Sequence, residues 1–280
     1  MNDLQHDAGQ LSRFLDEHPA VVVLTGAGIS APSGIPTYRD SEGVWQHSQP
    51  IQHQEFLLDE SRRQRYWARS MLGWPPVRNA SPGAGHLALA ELERSGHINL
   101  LITQNVDRLH QRAGSKRVVD LHGRLDRVRC LDCGTFYDRE DIQQRLLRDN
   151  DPVAPAMTRP RPDGDADLPD DYVRDVTVPS CDNCLGLLMP DVVFFGGTVP
   201  KSRVATCMAA IDQSDAIVAI GSSLQVYSGF RFCRHAIGSG KSLAIINPGK
   251  TRADAMATLK IPRDCGPLLH QIARTAAIHQ

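Results

Sequence analysis

Residues 21–39, VVVLTGAGISAPSGIPTYR, pass from a buried-strand run into a glycine-rich turn and then into a loop studded with proline. Gly26, Gly28 and Ala31 have the G-x-G-x-x-G/A spacing, in which glycine lets the backbone turn sharply and approach a pyrophosphate closely. A turn followed by a helix cap would also explain small residues here. Beyond the turn, Pro32, Gly34 and Pro36 oppose the long helix of an ordinary dinucleotide fold. The acidic residue expected about 20 positions on, for a ribose hydroxyl, has no clear candidate after a second strand. A hydride-transferring dehydrogenase is the simplest reading of the glycines, and it is strained on both counts.

The chain has 280 residues, 41% hydrophobic and 22% charged, enough for one large or two modest globular domains. A formal net charge of -1 gives no global case for nucleic acid or a membrane surface. No apolar stretch approaches the length of a spanning helix, and the start, MNDLQHDAGQ, carries acids where a targeting peptide would be basic. The expectation is a cytoplasmic protein, with a monomer as the default state. Seven cysteines include two close pairs, which in a reducing compartment favour metal over disulfide.

Working outward, five apolar runs read as buried parallel strands: 21–24, 99–102, 118–121, 216–220 and 243–246. Helical patterns around Leu87, Leu89 and Leu92, at 204–211 and at 230–237 separate several of them, so the chain alternates as an α/β sheet does. Two stretches break the rhythm. Residues 46–80 form an insertion with a helix, and residues 126–190 hold both cysteine pairs and the loop RPRPDGDADLPDD at 159–171. The expected fold is a Rossmann-like parallel sheet with a smaller zinc-binding and helical domain inserted. Its large lobe would comprise 1–45, 81–125 and 191–280, and its small lobe 46–80 and 126–190.

The strands end in TGAGIS, TQNVD, HG, GSSLQV and NPG, loops that should share one edge of the sheet. Ligands of open α/β sheets bind outside the carboxyl ends of the strands, at a topological switch point. Strand ends need turn residues in any case. That need explains NPG well, but not why Gln104, Asn105, Asp107 and His122 gather on one rim.

The cysteines carry the most specific metal signal: Cys130-x-x-Cys133, then 47 residues, then Cys181-x-x-Cys184. Four thiolates complete a tetrahedral zinc shell with no open position, so the role is structural. Redox pairs or disulfides are the competing readings. Cys207, Cys233 and Cys265 have no partner at such spacing and read as core or loop thiols. His122 follows a strand and precedes a glycine, and a histidine projecting into a cleft there suits a general base. Among 11 histidines it could equally be a satisfied surface or core residue. Asn105 and Asp107 could hold ribose hydroxyls or an amide, or could cap a helix starting near Val106, a role that fits Asn105.

GAGISAPSGIPTYR, TQNVDRLHQRAG, LHG, the paired C-x-x-C, PDVVFFGGTVP, GSSLQVYSG and IINPG, in this order, closely resemble the sirtuins, NAD-dependent protein deacylases. The resemblance runs over about 11–270. PIQHQEF, RQRYWAR, GWP and CLDCG further resemble the branch called class II, which includes the mitochondrial lipoamidase-type members.

The resemblance implies that NAD is consumed. The acyl-lysine carbonyl oxygen attacks the nicotinamide ribose, nicotinamide leaves, and the acyl group moves to ADP-ribose. It makes His122 the base that deprotonates a ribose hydroxyl, with Asn105 and Asp107 in the same catalytic group. Gln104, Asn105 and Asp107 would line the nicotinamide and ribose pocket. Gly26, Ala27, Gly28, Ser30, Thr37, Tyr38 and Arg39 would wrap the phosphates and close over the nicotinamide. Gly221, Ser222 and Ser223 would bind phosphates or the adenine ribose, with Asn247 on that ribose and Cys265 beside the adenine. One structural zinc is implied at the four paired cysteines. A broken loop at 32–39 suits a lid that excludes water from a cofactor cut at its glycosidic bond.

The resemblance also implies acyl-lysine peptides or proteins as partners, lying as an extended strand between 193–197 (Val193, Phe194, Gly196) and 223–226 (ending at Val226). Backbone pairing reads no side chains, so the sequence around the lysine would matter little. Both segments could instead be core strands. Tyr66 and Arg69 share a helix face and match the Tyr-x-x-Arg with which succinyl-preferring members grip acidic chains. With Arg62, Arg63 and Arg65 they could equally form a solvated basic face.

Thr37 stands where the family usually has Asp, Gly197 replaces an acidic residue, and Tyr227-Ser228-Gly229 replaces a proline-containing turn. A mono-ADP-ribosyltransferase using the same NAD site, and a non-catalytic NAD-binding zinc module, are the competing functions.

Overall fold

The computed structural model describes all residues except 1, 41, 43, 47–49, 152–159, 170–171, 174–175 and 279–280; the side chains of 2, 160 and 275–278 are also outside the description. Parts of the segments expected as an insertion (47–49) and as the acidic loop (159, 170 and 171) therefore fall outside it.

Six strands form one parallel sheet: β1 Val21–Thr25, β2 Ile98–Thr103, β3 Val118–Asp120, and later in the chain β9 Ala216–Ile220, β10 Ser242–Ile246 and β11 Leu259–Ile261. Their spatial order is β11-β10-β9-β1-β2-β3. The five expected strands are all present, and the sixth, β11, is a three-residue edge strand (LKI) too short to stand out as an apolar run. From β1 the chain builds outward in one direction and from β9 in the other. The switch point is therefore between them, at the carboxyl ends that carry Gly26 and Gly221.

The period of two along β1 sorts its side chains to opposite faces. Val21 and Val23 pack on α1 (Asn2–Glu17), α4 (Ala84–Arg94) and α9 (Cys265–Ile278), through Leu11, Phe14, Leu89, Leu92, Leu268 and Ile272. Val22 and Leu24 pack against Cys207 and Ile211 of α7 (Lys201–Asp212) and Phe232 and Cys233 of α8 (Tyr227–Gly238). Cys207 and Cys233 are the core thiols expected of them; Cys265 is buried at the start of α9.

A second, antiparallel sheet has the order β5-β4-β8, from β4 Gly123–Cys130, β5 Phe136–Asp138 and β8 Leu188–Val192. Phe56 of α2 (His53–Leu58), Trp67 and Met71 of α3 (Glu60–Asn79) and Ile142 and Leu146 of α6 (Arg139–Asp149) share one core with Val128, Leu188 and Met189 of that sheet. Asp59 begins α3 by accepting hydrogen bonds from the Ser61 and Arg62 amides, at 2.9 and 3.4 Å. The helix then runs through Pro75 and Pro76. A proline removes the bond to the carbonyl four residues back, and Gln143 Nε2 donates to the Met71 carbonyl at 2.7 Å, taking up the acceptor that Pro75 leaves.

Between α6 and β8, a two-residue pair, β6 Pro160–Arg161 and β7 Asp165–Ala166, packs on α3. Its turn holds Asp163 at φ 57°. The short helix α5, Leu109–Arg112, follows β2. No described helix is long and apolar enough to cross a membrane.

Candidate active site

The turn after β1 does not continue as a long helix. It makes two three-residue helical turns, Ala27–Ile29 and Ala31–Ser33, and ends at Gly34 with φ 84°. Here the glycines bring two loops together as well as opening space for a ligand. Gly28 N donates to Gly221 O at 2.8 Å. A Cβ on Gly28 would sit 2.9 Å from the Gly221 Cα, and one on Gly221 would sit 2.6 Å from the Ile29 nitrogen. Only glycine allows the β1 and β9 loops this approach.

A cavity of about 960 Å³ opens at this junction. Gly26, Ala27, Gly28, Thr37, Tyr38, Arg39, Gln104, Asn105, His122, Gly221, Ser222, Ser223, Asn247 and Cys265 all line it, as do Tyr66, Arg69, Val193, Phe194, Gly196 and Val226. Of the residues expected at the site, Ser30 and Asp107 lie off this wall and line a small recess with Ala27, Asn105 and Val106.

That recess is held by a closed polar network. Ser30 Oγ donates to Asp107 Oδ2 at 2.7 Å and accepts from Asn105 Nδ2 at 3.0 Å. Asn105 Nδ2 also reaches Gly26 O at 3.1 Å. Capping, the alternative role that fits Asn105, does not apply: the helix starts at Leu109, and it is Asp107 Oδ1 that accepts from the Leu109 amide, at 2.9 Å. Asn105 cannot cap because its amide is turned back to the β1 loop. Burial raises the Asp107 pKa despite these bonds. His86, outside every quoted motif, and His110, inside TQNVDRLHQRAG but given no role there, stand behind the network. The His86 ring nitrogen Nε2 is 3.3 Å from Ser30 Oγ, and His110 Nε2 is 2.9 Å from Thr25 Oγ1. Burial pushes His86 down to about 4 and His110 well below its usual range, so both are neutral.

Gln104 ties the strand ends together. Its side-chain amide donates to Ser222 Oγ at 2.8 Å and to Thr25 O at 3.2 Å, and its own carbonyl lies 2.9 Å from His122 Nδ1. A carbonyl can only accept, so His122 carries its proton on Nδ1 and presents bare Nε2. Nε2 is 2.7 Å from Ser228 Oγ. Burial lowers the His122 pKa to about 4; the bond to Gln104 opposes this, and the charges of Arg203 and Arg231 add to it. The ring is therefore neutral near pH 7, a base with its lone pair on the cavity side of the β3–β4 turn.

The segment expected as a lid lines one side of the cavity. Gln46 N donates to Tyr38 O at 2.9 Å, Asp40 N donates to Val44 O at 3.0 Å, and the Arg39 guanidinium stacks 4.2 Å from the Trp45 ring. Tyr38, Trp45 and Phe195 meet edge to face, with centroids 5.7 to 5.8 Å apart. Tyr38 Oη also donates to Asp163, which links the lid to the β6–β7 turn. Trp45 and Asp163 escaped sequence reasoning because no motif marks them, and Phe195, though inside PDVVFFGGTVP, is not singled out by it; their roles depend on folding distant segments together.

At the far end, Tyr66 packs against Phe56 and Phe194, with centroids 5.5 and 5.1 Å away. Arg69 does not lie on a solvated face. It is 9% exposed and meets Asp165 through Nε–Oδ1 and Nη2–Oδ2 bonds of 2.7 and 2.6 Å. Neither 193–197 nor 223–226 is a strand of the core. Val193 N donates to His122 O at 2.7 Å, and Phe195 O accepts from His53 N at 2.8 Å.

Away from the cavity, the four paired cysteines converge, with all four sulfurs within 4.8 Å of one another. Cys130 Sγ is 3.5 Å from Cys184 Sγ, and Cys133 Sγ is 3.6 Å from Cys181 Sγ. A zinc with four sulfurs at 2.3 Å places neighbouring sulfurs about 3.8 Å apart. The cluster fits a closed, structural zinc site and is too wide for disulfides.

Comparison with known proteins gives a consistent picture. The model described as "Sir2 family" matches residues 26–228. A Xanthomonas axonopodis pv. citri protein named "NAD-dependent protein deacetylase" is 49% identical over 94% of this chain and 90% of its own length. A Bordetella bronchiseptica protein of the same name is 48% identical over 97% and 98%. The solved structure described as "Sir2-p53 peptide-NAD+" superposes with a TM-score of 0.77 at 32% identity, covering 96% of this chain and 98% of that one.

Proposed function

The chain belongs to the Sir2 family, and from that membership we propose how its own residues carry out NAD-dependent lysine deacylation. It is an NAD-dependent protein deacylase: NAD, an acyl-lysine and water become nicotinamide, free lysine and O-acyl-ADP-ribose. Acyl-lysine peptides or proteins are its substrates.

In our reading, the acyl carbonyl oxygen bonds to the nicotinamide ribose as the C–N bond to nicotinamide breaks. His122 Nε2 then takes the proton of a ribose hydroxyl, whose oxygen bonds the acyl carbon. The bond from that carbon to the lysine nitrogen breaks, the amine leaves with a proton, and water supplies the oxygen that completes the acyl ester. The observation that carries this is the tautomer: Gln104 O holds Nδ1–H, and the lowered pKa keeps Nε2 bare at neutral pH. Nicotinamide lies in the main cavity against Asn105, whose side chain Ser30, bonded in turn to Asp107, holds from behind. The phosphates lie over the Gly26–Gly28 and Gly221–Ser223 turns, and the adenosine lies between Asn247 and Cys265. The lid at Tyr38 and Arg39 closes over the reacting bond and excludes water. Peptide enters as a strand between Val193, Phe194 and Gly196 on one side and Val226 on the other.

Tyr66 and Arg69 are read as the end of the acyl channel. The Arg69 charge is already matched by Asp165, so a dicarboxylic acyl chain would have to displace a two-bond ion pair. Neutral acyl groups fit better. The class II affinity, the two-lobe division, a monomeric state, a cytoplasmic setting and the absence of nucleic-acid or membrane partners belong to the same reading.

The test is incubation with NAD and acyl-lysine peptides, followed by mass spectrometry. Nicotinamide released only when both substrates are present, together with O-acyl-ADP-ribose, is the expected result. ADP-ribose attached to protein, with peptide acylation unchanged, would contradict it.

A further inference from the structure

We propose that Ser228 is a positioning residue for His122, holding the Nε2 lone pair in line until a ribose hydroxyl takes its place. This rests on the deacylase reading above. Nδ1–H is committed to Gln104 O at 2.9 Å, so neutral Nε2 can only accept, and Ser228 Oγ at 2.7 Å is its donor. The ring is thus pinned at both nitrogens, by the residue that follows β2 on one side and by the first turn of α8 on the other.

The neighbouring residue makes this approach possible. A Cβ on Gly229 would lie 2.5 Å from Gln104 Oε1. Ser228-Gly229 and Gln104 therefore fit together as one unit around the imidazole. A proline-containing turn, which Tyr227-Ser228-Gly229 replaces, offers no hydroxyl here. Ser228 lines the cavity with His122, so a ribose hydroxyl arriving at Nε2 displaces a group of its own kind, and the ring keeps its orientation as the exchange occurs. Proton transfer in the second step is where this matters; bond breaking to nicotinamide in the first step does not use Nε2.

The two steps separate the role from a merely structural one. Exchange of labelled nicotinamide into NAD, in the presence of acyl-peptide, reads the first step, and O-acyl-ADP-ribose formation reads both. For Ser228→Ala we expect exchange within about twofold of wild type and product formation about tenfold slower, with KM for NAD unchanged and with Ser228→Thr restoring product. ¹⁵N NMR of His122 should show the Nδ1–H tautomer in both proteins, with the Nε2 resonance shifted downfield in Ser228→Ala as its hydrogen bond is lost. Unchanged product formation, a parallel fall of exchange and product, or an unchanged Nε2 resonance in Ser228→Ala would overturn the proposal. The NMR comparison judges Ser228 even if wild type releases no nicotinamide, a result that would instead sink the deacylase reading.

Discussion

Arg69 and Asp165 lie 96 residues apart in the chain and meet through two parallel hydrogen bonds of 2.7 and 2.6 Å. The pair sits on the wall of the cavity that also holds His122, where an arginine alone would attract a carboxylate.

Its first consequence is acyl preference. Wild type should turn over acetyl- or longer neutral acyl-lysine faster than succinyl- or glutaryl-lysine. Asp165→Asn removes the competing charge and should raise the succinyl-to-acetyl ratio of kcat/KM by about tenfold, the worth of one charge-assisted hydrogen bond. A panel of acyl peptides measures it. A wild type that prefers succinyl-lysine, with a ratio indifferent to Asp165→Asn, would contradict the assignment.

Asp163 predicts a pH-dependent stability. Burial, and then the nearby Asp165, raise its pKa to about 7, above the ordinary 3.8. A group raised in the folded state contributes stability that is full below 3.8 and is lost as pH rises toward 7, by at most about 1.4 kcal/mol per pH unit. Asp163→Asn cannot ionise, still accepts from Tyr38, and tolerates the positive φ. Thermal melts should show the variant gaining on wild type at about pH 8 and not at about pH 4.

How much of this could be read in the sequence depends on range. The parallel strands were legible because buried strands are continuous apolar runs, and the zinc cluster because each C-x-x-C fixes two ligands locally. The cavity wall followed from loops at strand ends. What escaped was non-local. Asp165 and Asp163 gain their roles from α3 and the lid, and nothing at the level of spacing marks them; Ser228 lies in the quoted GSSLQVYSG, but its contact with His122 is visible only in the fold. The choice left open for Asn105, ligand contact or helix cap, needed the fold, which turns its amide toward Gly26 and Ser30 and gives the Leu109 amide to Asp107.

The cysteine cluster should hold one zinc per chain. Cys130 lies in the same core as Trp67 and Leu188, so losing the metal loosens packing beyond the ligands. Cys130→Ser, or a strong chelator, should lower the melting temperature by about 10 °C or more. Zinc content by mass spectrometry alongside calorimetry checks this; a zinc-free protein with an unchanged melt would contradict it.

The buried His122 shapes the pH–rate profile. A pKa lowered to about 4 keeps the base unprotonated in free enzyme well below the usual histidine range. kcat/KM, which reports free-enzyme groups, should show no inflection near 6.5 and should fall only toward about pH 4. An acid limb centred near 6.5 would mean that His122 is not the base or is not buried as described.

The most direct test is His122→Ala in a product assay with NAD and acyl-lysine peptide. If His122 Nε2 deprotonates the ribose hydroxyl, O-acyl-ADP-ribose formation should fall by about 10²–10⁴-fold, while peptide-dependent nicotinamide exchange persists. Product formed at more than about a tenth of the wild-type rate would contradict the account.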